Sequence, residues 1–140
     1  MKLPVTGGCA CGAIRYEASA EPLAMLNCHC LDCQSVTGSA FVSAIVFPAD
    51  AFRFTRGTPR YHETVAASGG RHKRGFCPDC GSRLTGGENP EGTSGIVGVT
   101  LGSLDDPALF QPQMDIWTSR VQPWTRMDPA IPKFEAQPPA

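Results

Sequence analysis

The stretch Asn27-Cys28-His29-Cys30-Leu31-Asp32-Cys33-Gln34 places three cysteines within six positions. This C-x-C-x-x-C spacing brings three thiols to one point only if the backbone turns sharply, as it does around a metal bound by thiolates. Three thiolates leave one position of a tetrahedron free. Structural zinc sites are closed by four protein ligands, whereas reactive sites keep one position for water or substrate. We therefore look for function at Cys28, Cys30 and Cys33.

The four remaining cysteines form two close pairs, Cys9 with Cys11 and Cys77 with Cys80. The run Cys77-Pro78-Asp79-Cys80-Gly81 is typical of a metal-binding knuckle, because proline sets one backbone angle and glycine permits a positive one. Two such pairs supply the four thiolates of a closed metal site. The spacing predicts that this site is structural and joins the N-terminal hairpin to the middle of the chain.

The central cysteine triad leaves three interpretations open. A fourth protein ligand closes the site, or Cys30 and Cys33 form a redox pair, or the fourth position stays open. The candidate fourth ligands are His29, Asp32, His62 and His72. Because His29 lies between two of the cysteines, we expect its side chain to point away from them. With an open position, a metal acts as a Lewis acid toward water or an incoming thiol, which suits a thiolate centre best. That interpretation predicts a low-molecular-weight thiol, or a carbonyl compound held beside one.

Composition narrows the class of protein. The 140 residues predict a single domain over residues 1–140. Seven cysteines in short-spaced clusters indicate metal binding rather than a secreted disulfide framework. With 12 basic and 13 acidic residues, no overall charge attracts nucleic acid. The first residues lack the apolar run of a secretory signal, and no segment is long enough to span a membrane. We expect a cytoplasmic protein without nucleic-acid or membrane partners.

The pattern of apolar residues predicts a mainly β protein. A Gly-rich hairpin over residues 1–16 carries Cys9 and Cys11 at its tip. Residues 40–47 are dense in β-branched and aromatic side chains and predict a buried strand that stops at Pro48. A single helical turn is expected over residues 32–36, ended by Gly38. Further short strands are predicted at residues 23–26, 52–55, 60–65, 95–101 and 112–117.

Four ordered blocks of sequence make the chain similar to a known family. They are residues 8–12 (GCACG), residues 28–39 (CHCLDCQSVTGS), residues 74–82 (RGFCPDCGS) and residues 102–107 (GSLDDP). On these blocks the chain resembles the glutathione-dependent formaldehyde-activating enzyme (GFA) family. The resemblance implies an Mss4-like fold of small curved antiparallel sheets with zinc-binding knuckles. It implies up to two Zn²⁺ per chain, one structural at Cys9, Cys11, Cys77 and Cys80 and one labile at Cys28, Cys30 and Cys33.

The resemblance also implies an activity, namely carbon-sulfur lyase chemistry that joins glutathione to formaldehyde as S-hydroxymethylglutathione. The chain differs from the member that names the family at His29 and Gln34, where that member has a small and an aromatic residue. The alternative hypothesis is a non-catalytic zinc- or thiol-binding module resembling a chaperone. An exposed apolar patch at Trp117 and Trp124 would favour that alternative, although we expect both tryptophans to be packing anchors. The basic run 71–74 suits either a carboxylate of the thiol or a solvated strand end.

Overall fold

Short alternating segments separated by Gly- and Pro-containing turns form ten strands in residues 1–139, the part of the chain that the computed structural model describes. One α-helix, α1, spans Leu31–Thr37. The strands are β1 Val5–Gly8, β2 Arg15–Ala18, β3 Ala24–Cys28, β4 Val42–Pro48, β5 Phe52–Arg56, β6 Arg60–Val65, β7 Arg71–Phe76, β8 Arg83–Glu88, β9 Ile96–Thr100 and β10 Met114–Ile116. The mainly β class predicted from sequence is confirmed. Within residues 1–139 no helix is long and apolar enough to cross a membrane.

The strands form two sheets. A three-stranded sheet has the order β1-β2-β5, and a seven-stranded sheet has the order β10-β3-β4-β9-β8-β7-β6. All pairings are antiparallel except that of β10 with β3, which is parallel. The parallel pair is possible because the long connection between β3 and β10, which contains β4 to β9, brings the chain back to the edge of β3. The large sheet is therefore mixed, whereas the small sheet is purely antiparallel.

The two faces of the seven-stranded sheet have different neighbours. One face packs against the small sheet and forms the main core, where Ile14 and Tyr16 meet Ile45, Phe47 and other buried side chains. The opposite face carries a second apolar cluster built around Leu26. Because successive side chains of a strand point to opposite faces, the same strands contribute side chains to both apolar clusters. The cysteine triad belongs to the second cluster.

Strand β4 departs from its prediction in a way that matters for the site. We expected a buried strand over residues 40–47, but only Ile45 and Phe47 are buried. Val42, Ala44 and Val46 are half-buried and lie on the second face. The apolar side chains of β4 therefore lie on two surfaces. One surface is part of the main core, and the other lines a cavity.

Helix α1 positions two of the three central cysteines. Its N-cap is Cys30, whose Sγ accepts a hydrogen bond from the backbone N–H of Cys33 at 3.2 Å. The helix ends at Gly38, whose N–H donates to the Gln34 carbonyl at 2.9 Å. The predicted helical turn and its glycine end are confirmed, with one residue more at each side of the predicted range.

Candidate metal centres and the adjoining cavity

Four cysteine sulfurs from two turns meet at the junction of the two sheets. Cys9 and Cys11 lie in the turn between β1 and β2, and Cys77 and Cys80 lie in the turn between β7 and β8. Their Sγ atoms all lie within 4.8 Å of one another. Cys9 Sγ is 3.6 Å from Cys11 Sγ, which is 3.8 Å from Cys77 Sγ. Sulfurs bound at about 2.3 Å around a tetrahedral zinc stand about 3.8 Å apart, so the donor set fits such an ion.

The local backbone supports this four-cysteine cluster. Gly12 and Gly81 follow the second cysteine of each pair, and both have φ of +78°. A side chain is strained at this angle, which explains glycine in both turns. The backbone N–H of Ile14 donates to Cys9 Sγ at 3.2 Å. Ser82 lies 3.2 Å from Cys80 Sγ through its hydroxyl, and this contact lowers the pKa of Cys80 to about 6. The Ser82 contact thus stabilises the thiolate form of Cys80.

The remaining three cysteines also converge. Cys28 ends β3, Cys30 caps α1, and Cys33 lies in the first turn of α1. Their Sγ atoms lie within 4.8 Å of one another, and Cys28 and Cys33 are buried while Cys30 is half-buried. No fourth Cys, His, Asp or Glu in residues 1–139 places a ligand atom within 4.8 Å of all three. Within residues 1–139 the triad is therefore an incomplete donor set.

Charge in the triad is concentrated on Cys30. Hydrogen bonds from the thiols of Cys28 and Cys33 hold the pKa of Cys30 well below its usual range, and the positive charge of Arg74 acts in the same direction. The same contact with Cys30 raises the pKa of Cys28. The cluster therefore stabilises negative charge at its most accessible sulfur.

The His29 side chain points away from the triad, as expected, and attaches the triad loop to the neighbouring strand. Its side chain is fully buried, and Nε2 lies 2.7 Å from Oδ1 of Asp115, which is 1% exposed. The His29 backbone N–H donates to the Ile116 carbonyl at 3.0 Å, so ring and backbone both attach the triad loop to β10. Asp115 has no motif around it and was not identified from sequence.

Gln34 ties the triad to the C-terminal segment. Its Nε2 donates to the His29 carbonyl at 2.7 Å and to the Arg120 carbonyl at 3.0 Å. Its Oε1 accepts from Gln122 Nε2 at 2.9 Å. The two positions at which this chain differs from the naming member, His29 and Gln34, thus both orient the loop that carries the cysteines.

The triad opens into a cavity of about 400 Å³ on the second face of the large sheet. Aliphatic side chains of β3 and β4 form one wall, and Trp117 lies at the C-terminal side. Trp117 is half-buried and has φ of +56°, a strained backbone angle for a residue other than glycine. Trp124, in contrast, is 68% exposed in a turn of the proline-rich tail, so its predicted packing role is wrong.

Two arginines without carboxylate partners line the same cavity. Arg74 donates to Thr64 Oγ1 at 2.8 Å, and Arg83 lies over the Phe76 ring at 5.2 Å. No carboxylate of residues 1–139 lies within 4.0 Å of either guanidinium. Arg83 Nη1 is buried and has no hydrogen-bond partner there. Guanidinium groups without carboxylate partners in a partly apolar cavity favour an anionic ligand such as a carboxylate.

Comparison with known families identifies the family of this chain. The sequence model of the family described as glutathione-dependent formaldehyde-activating enzyme matches residues 4–120. The chain belongs to this family. The range matched by the GFA model includes both cysteine clusters and both cavity arginines.

A solved structure shows that the fold is shared. The crystal structure of a Rhodobacter sphaeroides protein matches 91% of this GFA chain and 98% of its own chain, at 20% sequence identity and a TM-score of 0.55. At this identity the likeness concerns the fold alone.

The structure thus brings together all seven predicted cysteines, in the two predicted groups. Of the candidate fourth ligands, Asp32 and His72 line the cavity without completing the triad, and His29 bonds to Asp115. His62 is exposed on β6 and does not line the cavity. Arg83 was missed because a single arginine after a knuckle has no sequence signature.

Proposed function

We propose that this protein is a zinc-dependent carbon-sulfur lyase of the S-(hydroxymethyl)glutathione synthase type. Cys9, Cys11, Cys77 and Cys80 would hold a structural zinc, and the triad would hold a second zinc with one open position. The substrate is a small thiol such as glutathione and its formaldehyde adduct. The observation that carries this proposal is an incomplete set of three sulfurs facing a cavity that contains unpaired arginines.

The donor chemistry supports zinc at both clusters. Thiolates select Zn²⁺ over the hard cations Mg²⁺ and Ca²⁺, and four thiolates close a site that three leave open. A zinc ion held by the three thiolates would supply a Lewis-acid position that deprotonates an incoming thiol near neutral pH, and an excess of that thiol would compete with the three cysteines for the ion.

The chain's own residues hold and orient the substrate. Arg74 and Arg83 bind a carboxylate of the thiol, which directs its sulfur toward Cys30, the accessible member of the triad. The thiolate sulfur then attacks the aldehyde carbon, a carbon-sulfur bond forms, and the carbonyl oxygen takes the electron pair and a proton. The reverse reaction breaks the same bond.

The test is the zinc content per chain, measured by metal analysis of gently purified protein before and after adding glutathione. We expect about two zinc ions to fall to about one, because the triad has one protein ligand fewer than the closed site. In Cys30→Ser we expect about one zinc ion throughout, with no response to glutathione. A zinc content that glutathione leaves unchanged in the native protein would contradict the proposal.

A kinetic measurement separates an enzyme from a thiol carrier. The rate at which glutathione and formaldehyde combine is compared with and without the zinc-loaded protein. We expect the protein to accelerate both the formation and the breakdown of the adduct. Zinc release without acceleration would favour the non-catalytic thiol-binding alternative.

A further inference from the structure

The wall beside the triad is more apolar than a formaldehyde adduct requires. Val42 is the cross-strand partner of Cys28, and Ala44 and Val46 are the partners of Leu26 and Ala24. The β4 side chains in this stripe, which we call the aliphatic wall, are Val42, Ala44 and Val46, and all three line the cavity. Any group attached to a sulfur held at the triad therefore lies in the cavity that this wall lines.

The aliphatic wall differs in burial from the side chains of β4 that belong to the main core. Ile45 and Phe47 on the same strand are almost fully buried in the main core, whereas the aliphatic wall is only half-buried. On the next two strands of the same sheet, Gly98 of β9 pairs with Val46 and Gly86 of β8 pairs with Gly98, and neither glycine contributes a side chain. The wall packs on one side against the Leu26 cluster, and its remaining surface is half-buried and faces the cavity, where no side chain of Gly98 or Gly86 covers it.

The mouth of the cavity is also lined by an apolar side chain. Val65, at the end of β6, is 69% exposed and lines the cavity. A hydroxymethyl group is small and polar, so it would leave this apolar surface in contact with water. An aliphatic chain of several carbons would cover it, and each buried methylene would favour binding by about fourfold.

We propose that the preferred substrate is a thiol adduct of an aldehyde with an apolar chain, and that the aliphatic wall binds this chain. This inference rests on the proposed function for the sulfur and carboxylate ends of the ligand. The carboxylate lies at Arg74 and Arg83, the sulfur lies at the triad, and the chain lies on β4. The reaction adds a thiol to an aldehyde: the sulfur-carbon bond forms as the carbonyl π bond breaks, and the thiol proton ends on the oxygen.

The test compares S-methylglutathione with S-hexylglutathione as ligands of the zinc-loaded protein, by calorimetric titration. Both are thioethers that the protein does not turn over, so the result depends on binding alone. We expect the S-hexyl probe to bind at least about tenfold more tightly than the S-methyl probe.

Two matched variants locate the effect. Ala44→Leu fills the cavity at the wall, and we expect the preference to fall below about threefold. Ala24→Leu makes the same change on the same face of the adjacent strand, but Ala24 does not line the cavity. In this control we expect the preference to stay within about twofold of the native value.

Each outcome has a distinct meaning. Equal binding of the two probes, weaker binding of the S-hexyl probe, or binding of neither overturns the inference, even if glutathione releases zinc from the triad. An unchanged preference in Ala44→Leu overturns the assignment to β4. A tenfold preference in a protein whose zinc ignores glutathione supports the apolar subsite while contradicting the proposed function.

Discussion

Arg74 differs from its neighbours in the basic run 71–74 by what it contacts. Arg71 is exposed and bonds to Glu91 at 2.7 Å, and Lys73 lies 3.8 Å from Glu88. Arg74 has only the neutral hydroxyl of Thr64 as a side-chain partner and lines the cavity. Of the two interpretations of this run, the solvated strand end therefore describes Arg71, and the carboxylate-binding interpretation is kept for Arg74 as a proposal.

Arg74→Gln is expected to weaken binding of S-methylglutathione, which has the carboxylates of glutathione but no thiol that removes zinc, by roughly tenfold or more, because a charge-assisted hydrogen bond contributes about 1.5–3 kcal/mol. The dissociation constant is measured by calorimetric titration of the zinc-loaded protein. Arg71→Gln is the matched control, since it removes the same charge from the same strand outside the cavity, and its affinity should stay within about twofold. Equal losses in the two variants would mean that Arg74 acts only through overall charge.

At the scale of elements, the two cysteine clusters have different mechanical roles. The four-cysteine cluster connects the β1–β2 turn of the small sheet with the β7–β8 turn of the large sheet. The triad connects β3 only with the adjacent helix α1. A closed metal site contributes folding free energy in proportion to what it holds together. The first cluster should therefore dominate stability, and the second should not.

Cys80→Ser is expected to lower the free energy of unfolding by about 3 kcal/mol or more, because it opens the site between the sheets. Cys30→Ser should lower it by less than about 1 kcal/mol, because serine is itself a favoured N-cap and can replace the sulfur that accepts from Cys33 N–H. Urea unfolding of both variants, prepared with zinc, measures the difference. Similar losses would show that the four-cysteine cluster does not hold the sheets together.

At the scale of the molecule, Tyr16 joins the two sheets through the main core. It lies on β2, is 1% exposed, and its hydroxyl is 2.7 Å from Ser103 Oγ in the turn after β9. Its ring packs against Phe52 with 5.3 Å between centroids. Burial raises the pKa of Tyr16 to about 12, from an ordinary value of 10.0. The neutral phenol is therefore part of the packed interface.

Because of Tyr16, the free energy of unfolding should fall as pH rises from about 10 to about 12. Over that interval the unfolded chain releases the Tyr16 proton and the folded chain retains it, so the unfolded state binds fewer protons and is favoured by rising pH. The full effect is roughly 2–3 kcal/mol. Urea unfolding at stepped pH measures it, and Tyr16→Phe should remove this component.

Tyr61→Phe is the control for that series, since Tyr61 is 39% exposed on an outer strand. In this variant Tyr16 is the remaining tyrosine, so the ultraviolet absorbance of phenolate reports its titration directly. A midpoint near pH 10 would contradict the raised pKa of Tyr16.

Local features of this protein were predictable from sequence because short spacing determines them. Cysteines two or three positions apart must share a turn, so both cysteine groups were identified before their positions in space were known. Gly38 ended the helix where predicted, and His29 pointed away from the triad because it lies between Cys28 and Cys30. The single-domain organisation stays a prediction.

Only the tertiary structure decided what surrounds the triad. The cavity exists because strand register places Val42 beside Cys28, and because β7 and β8 are added four and three strands away from β3 in the same sheet. Arg83 and Asp115 reach the site from segments distant in sequence, and neither has a local pattern that marks it. Alternation predicts which side chains share a face of a strand, but not which face is covered by core and which is left open. For that physical reason the sequence determined the metal ligands we propose, and the fold determined the shape and charge of the ligand they would receive.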